Sequence, residues 1–398
     1  MPGQPRALMV VATKQHVGKT SMCMALMSAC RQRFGKGNVG FIKPVGQRWV
    51  ETKEGARIDQ DANLARLHFG LSDPPQNLSP VIISQGYTKA YVEGRVDSRA
   101  QWERIRRGFE AVVDSHEFTI VEGTGHVGVG SVVGLSNAEV ARRLGIPVVL
   151  IGTGGLGSTY DELALNKQLC DNLGVRVSGV IVNKVRTSKL PMVQHYMSLA
   201  CQQLGAPLLG IVPHTAGFDS PSCADLEHLF GEKMLSRRDA ALRRFNRYEL
   251  VTTSLRRFME KINREPPEQL GRTCFITHAS RVDLIMGLHT HVMNTARADR
   301  FECGLILSGG VQLPASVCNY LSRSKFPVLK SRETTAETMR KIAGYTAKMD
   351  PSDPGTVDAL ISQVAPHIDL ELMLREVRKG STTHVAHEPL LDAAVAAS

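Results

Sequence analysis

The sequence predicts an α/β protein, in which a doubly wound parallel sheet is followed by a smaller α/β domain. Three observations indicate this class. Short apolar runs rich in β-branched residues alternate with helical patterns through the first half of the chain, and the same alternation resumes on a smaller scale after residue 265. The length of 398 residues also exceeds that of one average domain, so we expect two.

Six apolar runs in the first half are predicted strands, at residues 7–12, 39–45, 118–122, 147–152, 177–185 and 208–213. Several are apolar on consecutive residues, as in the segment VVLI within 147–152. Strands of a parallel sheet show this pattern because helices cover both faces of the sheet. The runs therefore predict one doubly wound sheet within residues 1–215.

A basic stretch follows this region. Residues 232–265 carry ten Lys or Arg and five Asp or Glu. Their net charge of +5 is half of the chain's formal charge of +10. Apolar residues at helical spacing favour amphipathic helices with a solvated basic face, while contact with a protein partner and contact with nucleic acid are weaker alternatives. The predicted organisation is a phosphate-loop domain over 1–230, a basic helical linker over 231–265, a second α/β domain over 266–380 and a disordered tail over 381–398.

The second domain is predicted from shorter repeats of the same alternation. Its expected strands are residues 273–278, 303–308 and 326–330, and its expected helices are residues 281–294, 315–324, 335–346 and a closing helix over 357–377. The eight cysteines lie mostly inside apolar segments and never at C-x-x-C spacing, which favours reduced, buried thiols.

The sequence also carries information on the cellular compartment in which we expect the protein. No run of 18 apolar residues is present, so we expect no membrane span, and the first residues lack the pattern of a secretory signal. We therefore expect a cytoplasmic protein, or one inside an organelle after removal of a targeting peptide.

A phosphate-binding loop is the most informative segment. The predicted strand at 7–12 runs into a short loop, and Gly18-Lys19-Thr20 opens a helix. Backbone N–H groups of such a loop cradle a polyphosphate, the lysine contacts the β- and γ-phosphates, and the threonine hydroxyl ligates Mg²⁺. The full pattern is G-x-x-x-x-G-K-[ST], and Thr13 stands at its first position. The residues of this loop that we predict to bind the nucleotide are Thr13, Val17, Gly18, Lys19, Thr20 and Ser21.

A second glycine-rich segment follows the strand at 147–152. Residues 152–157 match G-x-G-x-x-G, but the next predicted strand ends in Asn183-Lys184 and offers no acidic residue for a ribose. A wall of the nucleotide pocket is the better interpretation of this loop.

Carboxylates at two places are candidate magnesium ligands beside Thr20. Glu122 ends the strand at 118–122, at the edge where open α/β sheets bind ligands. Asp59 and Asp61 begin a helix, where capping of its N-terminus is an equally good interpretation of either residue. The choice between Asp59 and Asp61 stays open at this point, and Asp61 is our candidate.

The ordered segments VATKQHVGKT, FIKPVGQ, DQDA, VEGTGHV, GIPVVLIGTGGLG and GVIVNKV resemble the dethiobiotin synthetase/cobyrinic acid diamide synthase group of P-loop enzymes. They resemble still more the P-loop region at the N-terminus of long bacterial phosphotransacetylases, where a DRTGG domain follows. The segments ITHASRVDLI, GLILSGGVQLP and FPVLKSRETTAETMRKI resemble that domain. The resemblance covers residues 7–350 and implies a P-loop NTPase-like fold that binds ATP and Mg²⁺.

The resemblance also implies roles for individual residues. Lys19 and Thr20 match the phosphate loop, and Asp61 and Glu122 match the magnesium carboxylates. Lys43 matches a lysine that in dethiobiotin synthetase holds the substrate and its carbamate near the γ-phosphate, which makes Lys19 and Lys43 the candidate catalytic residues.

Two further matches concern the nucleotide. Asn183 matches an asparagine beside the adenine base, and Lys14 stands where related ATPases carry a second lysine that reaches across a dimer. ATP is expected over GTP, since no N-K-x-D motif follows Asn183-Lys184.

Three departures from the family shape the functional hypotheses. The phosphotransacetylase catalytic domain is not in this sequence, so we expect no synthesis of acetyl phosphate. Residues 279–283 (ASRVD) stand where the DRTGG domain has an acidic residue before arginine, and no cysteine–histidine glutaminase pair is evident.

Three functions fit the sequence. The first is an ATP–Mg²⁺-binding regulator or weak ATPase that couples nucleotide state to the DRTGG-like domain. The second is an ATP-dependent ligase of the dethiobiotin synthetase type that acts on a small metabolite, and the third is a non-catalytic interaction or assembly subunit that retains the fold. A homodimer is expected, a protein partner could use 232–265, and nucleic acid is disfavoured.

Overall fold

The computed structural model describes residues 6–215, 220–294, 303–345 and 349–379, and the predicted tail over 381–398 lies outside this part of the chain. The chain divides into two compact units. Unit 1 comprises Met1–His214 and Asp350–Ser398, and unit 2 comprises Thr215–Met349.

The strands in chain order are β1 (Ala7–Ala12), β2 (Val39–Ile42), β3 (Val45–Gly46), β4 (Trp49–Glu51), β5 (Arg57–Asp59), β6 (Val81–Ile82), β7 (Phe118–His126), β8 (Val148–Thr153), β9 (Val177–Val185), β10 (Leu208–Pro213), β11 (Arg247–Leu250), β12 (Thr273–His278), β13 (Gly304–Ser308) and β14 (Val328–Lys330). The helices are α1 (Lys19–Phe34), α2 (Gln60–Phe69), α3 (Pro75–Leu78), α4 (Tyr87–Val92), α5 (Ser98–Ser115), α6 (Asn137–Leu144), α7 (Gly157–Asn172), α8 (Leu190–Leu204), α9 (Cys223–Phe230), α10 (Leu255–Arg264), α11 (Pro267–Leu270), α12 (Val282–Asn294), α13 (Ala315–Ser322), α14 (Thr335–Gly344), α15 (Pro354–Val364) and α16 (Leu370–Arg378).

Unit 1 is built on a six-stranded parallel sheet in the order β10-β9-β8-β1-β7-β2. Every residue of β1 is buried, as expected for a central strand with helices on both faces. The carboxyl ends of β1 and β7 lie side by side, with Val10 in register with Glu122. This order confirms the predicted doubly wound sheet and places the phosphate loop beside Glu122.

The strands over 7–12, 177–185, 208–213 and 273–278 have the bounds that the sequence predicts. The strand predicted to end at Glu122 instead continues to His126. The run predicted as one strand over 39–45 is interrupted after Ile42, and its last residue belongs to β3, which pairs with β6 outside the main sheet.

The C-terminal helices α15 and α16 belong to unit 1, whereas the sequence pattern predicts one helix over 357–377 in the second domain. A short 3₁₀ turn at Ala365–His367 separates them. Both pack on α1, and Asp369 N–H donates to the Leu209 carbonyl of β10 at 2.8 Å. Gly210 permits this approach, because a Cβ there would lie 2.2 Å from the His367 carbonyl oxygen.

Packing on both sides explains the burial of α1. The consecutive residues Met22–Met27 are all buried, which a helix with a solvent face would not show. Arg176 adds a polar link between the sheet and the C-terminal helices, since its Nη2 donates to the carbonyls of Glu376 and Val377 at 2.6 and 3.1 Å.

Unit 2 is a four-stranded parallel sheet in the order β11-β12-β13-β14 with helices on both faces. One core lies between the sheet and α10, α12 and α13, and the other between the sheet and α9 and α14. The stretch predicted as a helical linker contributes β11 and α10 to this unit, so its description as a separate linker is corrected. The prediction missed β11, a strand of four residues that are all at least partly exposed.

Candidate functional site

The phosphate loop runs from Thr13 to Gly18 between β1 and α1. Thr13 N–H donates to the Ile151 carbonyl at 2.9 Å, which continues the pairing of β1 with β8. Gly18 has φ of +91°, and a Cβ there would lie 2.4 Å from Asn183 Nδ2. Only glycine suits this position, because it tolerates the left-handed backbone and leaves room for Asn183.

The side chains of Asn183 and Lys184, at the end of β9, donate hydrogen bonds to backbone carbonyls of the loop. Asn183 Nδ2 donates to the Val17 carbonyl at 2.7 Å, and its Oδ1 accepts from Lys184 N–H at 2.8 Å. Lys184 Nζ donates to the His16 carbonyl at 3.2 Å. His16 and Lys184 both have positive φ, at 63° and 59°. The structure thus gives Asn183 a positioning contact with the loop, and its contact with adenine stays a prediction.

Helix α7 holds the start of the loop through Glu162 and Asn166. Thr13 Oγ1 donates to Glu162 Oε2 at 2.9 Å, and Lys14 Nζ donates to Glu162 Oε1 at 2.7 Å. Asn166 Nδ2 donates to the Thr13 carbonyl at 3.1 Å. Lys14 therefore pairs with a carboxylate of its own chain, and its predicted reach across a dimer stays untested.

Thr20 connects the loop to the carboxylates. Its hydroxyl donates to Glu122 Oε1 at 3.0 Å, from the first turn of α1 to the middle of β7. Glu122 is 1% exposed. Burial raises the pKa of Glu122 above its usual value, the Lys43 ammonium opposes that rise, and the Asp61 carboxylate adds to it.

Lys43, which follows β2, lies among three carboxylates. Its Nζ is 3.0 Å from Asp59 Oδ1 and 3.5 Å from Glu122 Oε1, and it donates a short hydrogen bond to Asp61 Oδ2. The lysine is 6% exposed. Burial alone would lower the pKa of Lys43, but Glu122, Asp61 and Asp59 together raise it well above the usual value. We name Lys43 with these three residues the carboxylate cluster.

The two aspartates of the cluster differ in their surroundings. The Asp59 carboxylate caps α2 by accepting from Asp61 N–H at 2.9 Å, and it also accepts from the backbone N–H groups of Gln47 and Arg48 at 3.2 and 3.4 Å. Asp59 is nearly buried, whereas the Asp61 side chain is 21% exposed. The backbone bonds use the Asp59 oxygens, and Asp61 is the more accessible candidate ligand.

One observation favours a divalent cation at this cluster, although no group of three or more His, Cys, Asp or Glu side chains among the described residues is arranged to hold a metal ion. Glu122 Oε2 is buried and has no hydrogen-bond partner of ordinary geometry among the described residues, although the buried Cys23 thiol, a weak donor, interacts with this carboxylate. An unsatisfied carboxylate oxygen is costly unless a further partner arrives. Together with the Thr20 hydroxyl and Asp61, it offers the hard oxygen donors that Mg²⁺ prefers.

The sequence-predicted residues fall into two groups in space. Residues of the loop (Thr13, Lys14, Val17, Gly18, Lys19, Thr20, Ser21) lie at the carboxyl edge of β1, with Val17 buried and Lys19 and Ser21 half-buried. Lys43, Asp61 and Glu122 belong to the neighbouring carboxylate cluster, which also contains Asp59. Sequence reasoning missed Glu162, Asn166 and Lys184, although the spacing of Glu162 and Asn166 on one face of α7 is a signal that could have pointed to the first two.

A buried parallel strand, a left-handed glycine before Lys-Thr and a buried helix define unit 1 as a P-loop NTPase-like domain. Residues 6–222 match the family described as AAA domain, and residues 225–345 match the DRTGG domain. The chain belongs to this AAA-domain family and carries a DRTGG domain after it. The resemblance drawn from the sequence motifs is confirmed.

Two curated relatives illustrate the match. The chain is 30% identical over 223 residues to the ATP-dependent dethiobiotin synthetase BioD of Aromatoleum aromaticum, which covers 56% of this chain and 96% of that protein. It is 22% identical over 382 residues to the phosphate acetyltransferase of Nitratidesulfovibrio vulgaris, which covers 91% of this chain and 50% of that protein. The chain thus spans half the length of the second relative.

Solved structures match more distantly. The MinD cell division protein of Aquifex aeolicus matches at a TM-score of 0.33 and 13% identity, over 53% of this chain and 83% of that one. At this TM-score the match adds nothing to the assignment, which rests on strand order and loop. In the described part of the chain, no helix combines the length and the apolar character that crossing a bilayer requires.

Proposed function

We propose that this chain binds Mg²⁺-ATP at the phosphate loop and uses the nucleotide state to control its DRTGG domain. The observation that carries the proposal is the hydrogen bond that Thr20, two residues after the left-handed Gly18, donates to the buried Glu122. It brings the two residue types that a P-loop site needs, a helix-opening hydroxyl and a carboxylate, to one edge of the sheet.

Each group has a physical task in this proposal. The backbone N–H groups before α1 bind the β- and γ-phosphates, and Lys19 adds a positive charge. Thr20, Asp61 and Glu122 would hold Mg²⁺, which neutralises phosphate charge when bound. Asn183 and Glu162 keep the loop in shape through the bonds described above.

Lys43 is held by Asp59, Asp61 and Glu122. If Asp61 and Glu122 bound the cation, Lys43 would keep Asp59 as a partner and would become available to the γ-phosphate or to a second substrate. Asp61 and Glu122 would be cation ligands and Asp59 is held by Lys43 and by backbone N–H groups, so none of the three is a free base toward water, and we expect slow hydrolysis.

Equilibrium titration with a fluorescent ATP analogue tests nucleotide binding. In buffer with MgCl₂, the wild type is expected to bind, and Lys19→Ala to bind at least about tenfold more weakly, because a charge-assisted contact to phosphate is lost. The matched control is Lys36→Ala, an exposed lysine beyond the other end of α1 that should bind like the wild type. Equal affinities of Lys19→Ala and wild type would refute the site.

A second candidate function is a ligase step of the dethiobiotin synthetase type. It is favoured by the position of Lys43 and by the 96% coverage of the synthetase relative. Dethiobiotin, the product in that relative's name, is the probe. A ligase predicts that it binds in the presence of Mg²⁺-ADP and that Lys43→Met reduces this binding. If dethiobiotin does not bind, the regulatory function is favoured.

Control of the DRTGG domain makes a separate prediction. Binding of Mg²⁺-ATP should change backbone hydrogen exchange within residues 225–345, and Lys19→Ala should remove the change. Unchanged exchange there, with ATP bound, would favour the third hypothesis of an interaction subunit that retains the nucleotide fold. The expected homodimer is tested in the same samples by analytical ultracentrifugation.

The basic stretch 232–265 gives little support to an electrostatic partner. Arg247 lies 2.7 Å from Glu249 and 3.4 Å from Glu265, and Arg256 lies 3.1 Å from Glu260. Part of the positive charge of this stretch is therefore paired with carboxylates of the same unit. A protein partner at this stretch stays a prediction.

A further inference from the structure

A cavity in unit 2 lies where its parallel strands end. It has a volume of 370 Å³ and is lined at the ends of β11 and β12 and at the first turn of α14. All four strands of this sheet are parallel, so their carboxyl ends share one edge, and open α/β sheets bind ligands in the crevice at that edge. The volume lies within the range of about 300–1,000 Å³ that small-molecule sites occupy.

The lining combines apolar and polar residues. The apolar ones, which we call the wall, are Leu250, Val251, Ala336 and Met339, and the polar ones, which we call the polar end, are Thr252, Thr277, His278, Arg281 and Thr335. A site with one apolar wall and a few convergent polar groups suits a small organic molecule with a charged head group.

Arg281 supplies the charge at the polar end. Its Nη2 donates to the Thr253 carbonyl at 3.0 Å, which fixes the guanidinium against the loop after β11. Nε and Nη2 also bind Asp283 at 2.9 and 2.8 Å. The Asp283 side chain is 45% exposed, so an incoming anion can replace it on the guanidinium while the backbone contact stays in place.

His278 is placed beside Arg281 by the Ser308-Gly309-Gly310 segment. A Cβ on Gly309 would lie 2.0 Å from His278 Nε2, and Gly309 has φ of +95°. His278 Nδ1 lies 2.6 Å from Ser280 Oγ, which fixes the other side of the ring. The glycine therefore makes room for the imidazole at the cavity, which gives this segment a role that the nucleotide site does not explain.

We propose that this cavity binds a small organic phosphate, with its phosphate group at Arg281 and its organic part on the wall that includes Leu250 and Met339. The Thr277 hydroxyl already donates to the Val251 carbonyl at 3.1 Å, and Thr335 Oγ1 lies 2.7 Å from Ser308 Oγ, so the Arg281 guanidinium and the His278 imidazole are the groups that recognise the ligand. A phosphate suits this pair because its three oxygens and its higher charge let it bind the guanidinium and the imidazole together. All the lining residues belong to unit 2, so binding here can be tested with the phosphate loop disabled.

Methyl NMR of the full chain, labelled with ¹³C at the methionine methyl groups, tests the proposal. Met339 lines the cavity, while Met24 lies buried in α1 of unit 1 and reports on the phosphate loop. The probes are glycerol 3-phosphate and AMP, titrated into Lys19→Ala so that the phosphate loop does not compete. We expect both probes to shift the Met339 signal in a saturable way and to leave Met24 in place.

Three variants on the Lys19→Ala background decide the outcome. Arg281→Gln should weaken binding about tenfold or more, and Arg256→Gln, an arginine on α10 outside the cavity, should leave it unchanged. Ala336→Phe fills the cavity from an exposed position and should abolish the shift, even if Arg281→Gln loosens the fold. The proposal is overturned if neither probe moves Met339, or if the shifts persist unchanged in both Arg281→Gln and Ala336→Phe.

Discussion

Replacing Lys43 by Met removes the one ammonium among the three carboxylates of the cluster. Lys43 is 6% exposed and Glu122 is 1% exposed, so the remaining charges have little water to solvate them. Removing one partner of a buried ion pair costs about 3–5 kcal/mol of unfolding free energy. For a unit of this size, 1 kcal/mol corresponds to roughly 2–4 °C in Tm, so we expect a loss of about 6–20 °C.

The deficit of Lys43→Met should depend on pH with a definite sign. The folded-state pKa of Glu122 is already raised by burial, so its contribution to stability is present below the unfolded pKa and is lost as pH rises through the folded value. Removal of Lys43 takes away the opposing charge and raises that pKa further. The stability difference between the variant and the wild type should therefore be larger at pH 8 than at pH 5.5.

The assay is thermal unfolding without nucleotide, at both pH values, with and without MgCl₂. Without Lys43 the carboxylates are free to bind the cation, and a ligand at a hundred times its Kd stabilises by about 2.7 kcal/mol. Mg²⁺ alone should thus raise the Tm of Lys43→Met by several degrees and that of the wild type hardly at all.

The matched control is Lys89→Met, whose lysine side chain is 79% exposed and lies 3.8 Å from Glu93. It should cost less than about 1 kcal/mol and show no response to Mg²⁺. The reasoning fails if Lys43→Met is as stable as this control at pH 8, or if Mg²⁺ stabilises the variant and the wild type equally.

Three further predictions concern the fold around the two sites. Gly18→Ala should lower stability by about 1–3 kcal/mol and weaken nucleotide binding, measured by urea unfolding and titration, because of its positive φ and the clash with Asn183. Gly309→Ala should displace His278 and loosen unit 2, which hydrogen exchange would show as faster exchange there with unit 1 unchanged; slower or equal exchange contradicts it. Deletion of residues 350–398 should destabilise unit 1 and expose α1 to proteolysis, and an unchanged Tm of unit 1 would count against the packing described here.

The main sheet and the phosphate loop were predictable because their signals are local. A parallel strand buried on both faces needs an apolar run, and a phosphate loop needs Gly-Lys-Thr at a helix start, so both could be predicted from adjacent residues. Glu122 was predictable for the same reason, since it is a carboxylate within an apolar strand.

The features of the fold and of the site that the sequence did not predict depend on contacts between distant parts of the chain. The amphipathic pattern of α15 and α16 shows that they need a partner surface but not that this surface is α1, more than 300 residues earlier. The exposed four-residue strand β11 lacks an apolar run, and its pairing with β12 defines it. The hydrogen bond from Thr13 to Glu162 likewise joins residues 149 positions apart.

The choice between Asp59 and Asp61 also required the structure. Sequence shows two aspartates at a helix start, and capping fits either of them. In the fold, Asp59 accepts the backbone bonds and Asp61 keeps the more exposed carboxylate. Both nevertheless contact Lys43, and no local pattern would indicate that the lysine after β2 lies between them.

The Mg²⁺ dependence of ATP affinity tests the central claim most directly. The measurement is the Kd for ATP by isothermal titration, in MgCl₂ and in EDTA, for the wild type and Glu122→Gln. We predict that Mg²⁺ tightens binding to the wild type by about tenfold or more and that Glu122→Gln, which keeps the shape but removes the charge, loses most of this gain. Absence of ATP binding to the wild type, or the same gain from Mg²⁺ in both proteins, would contradict the account.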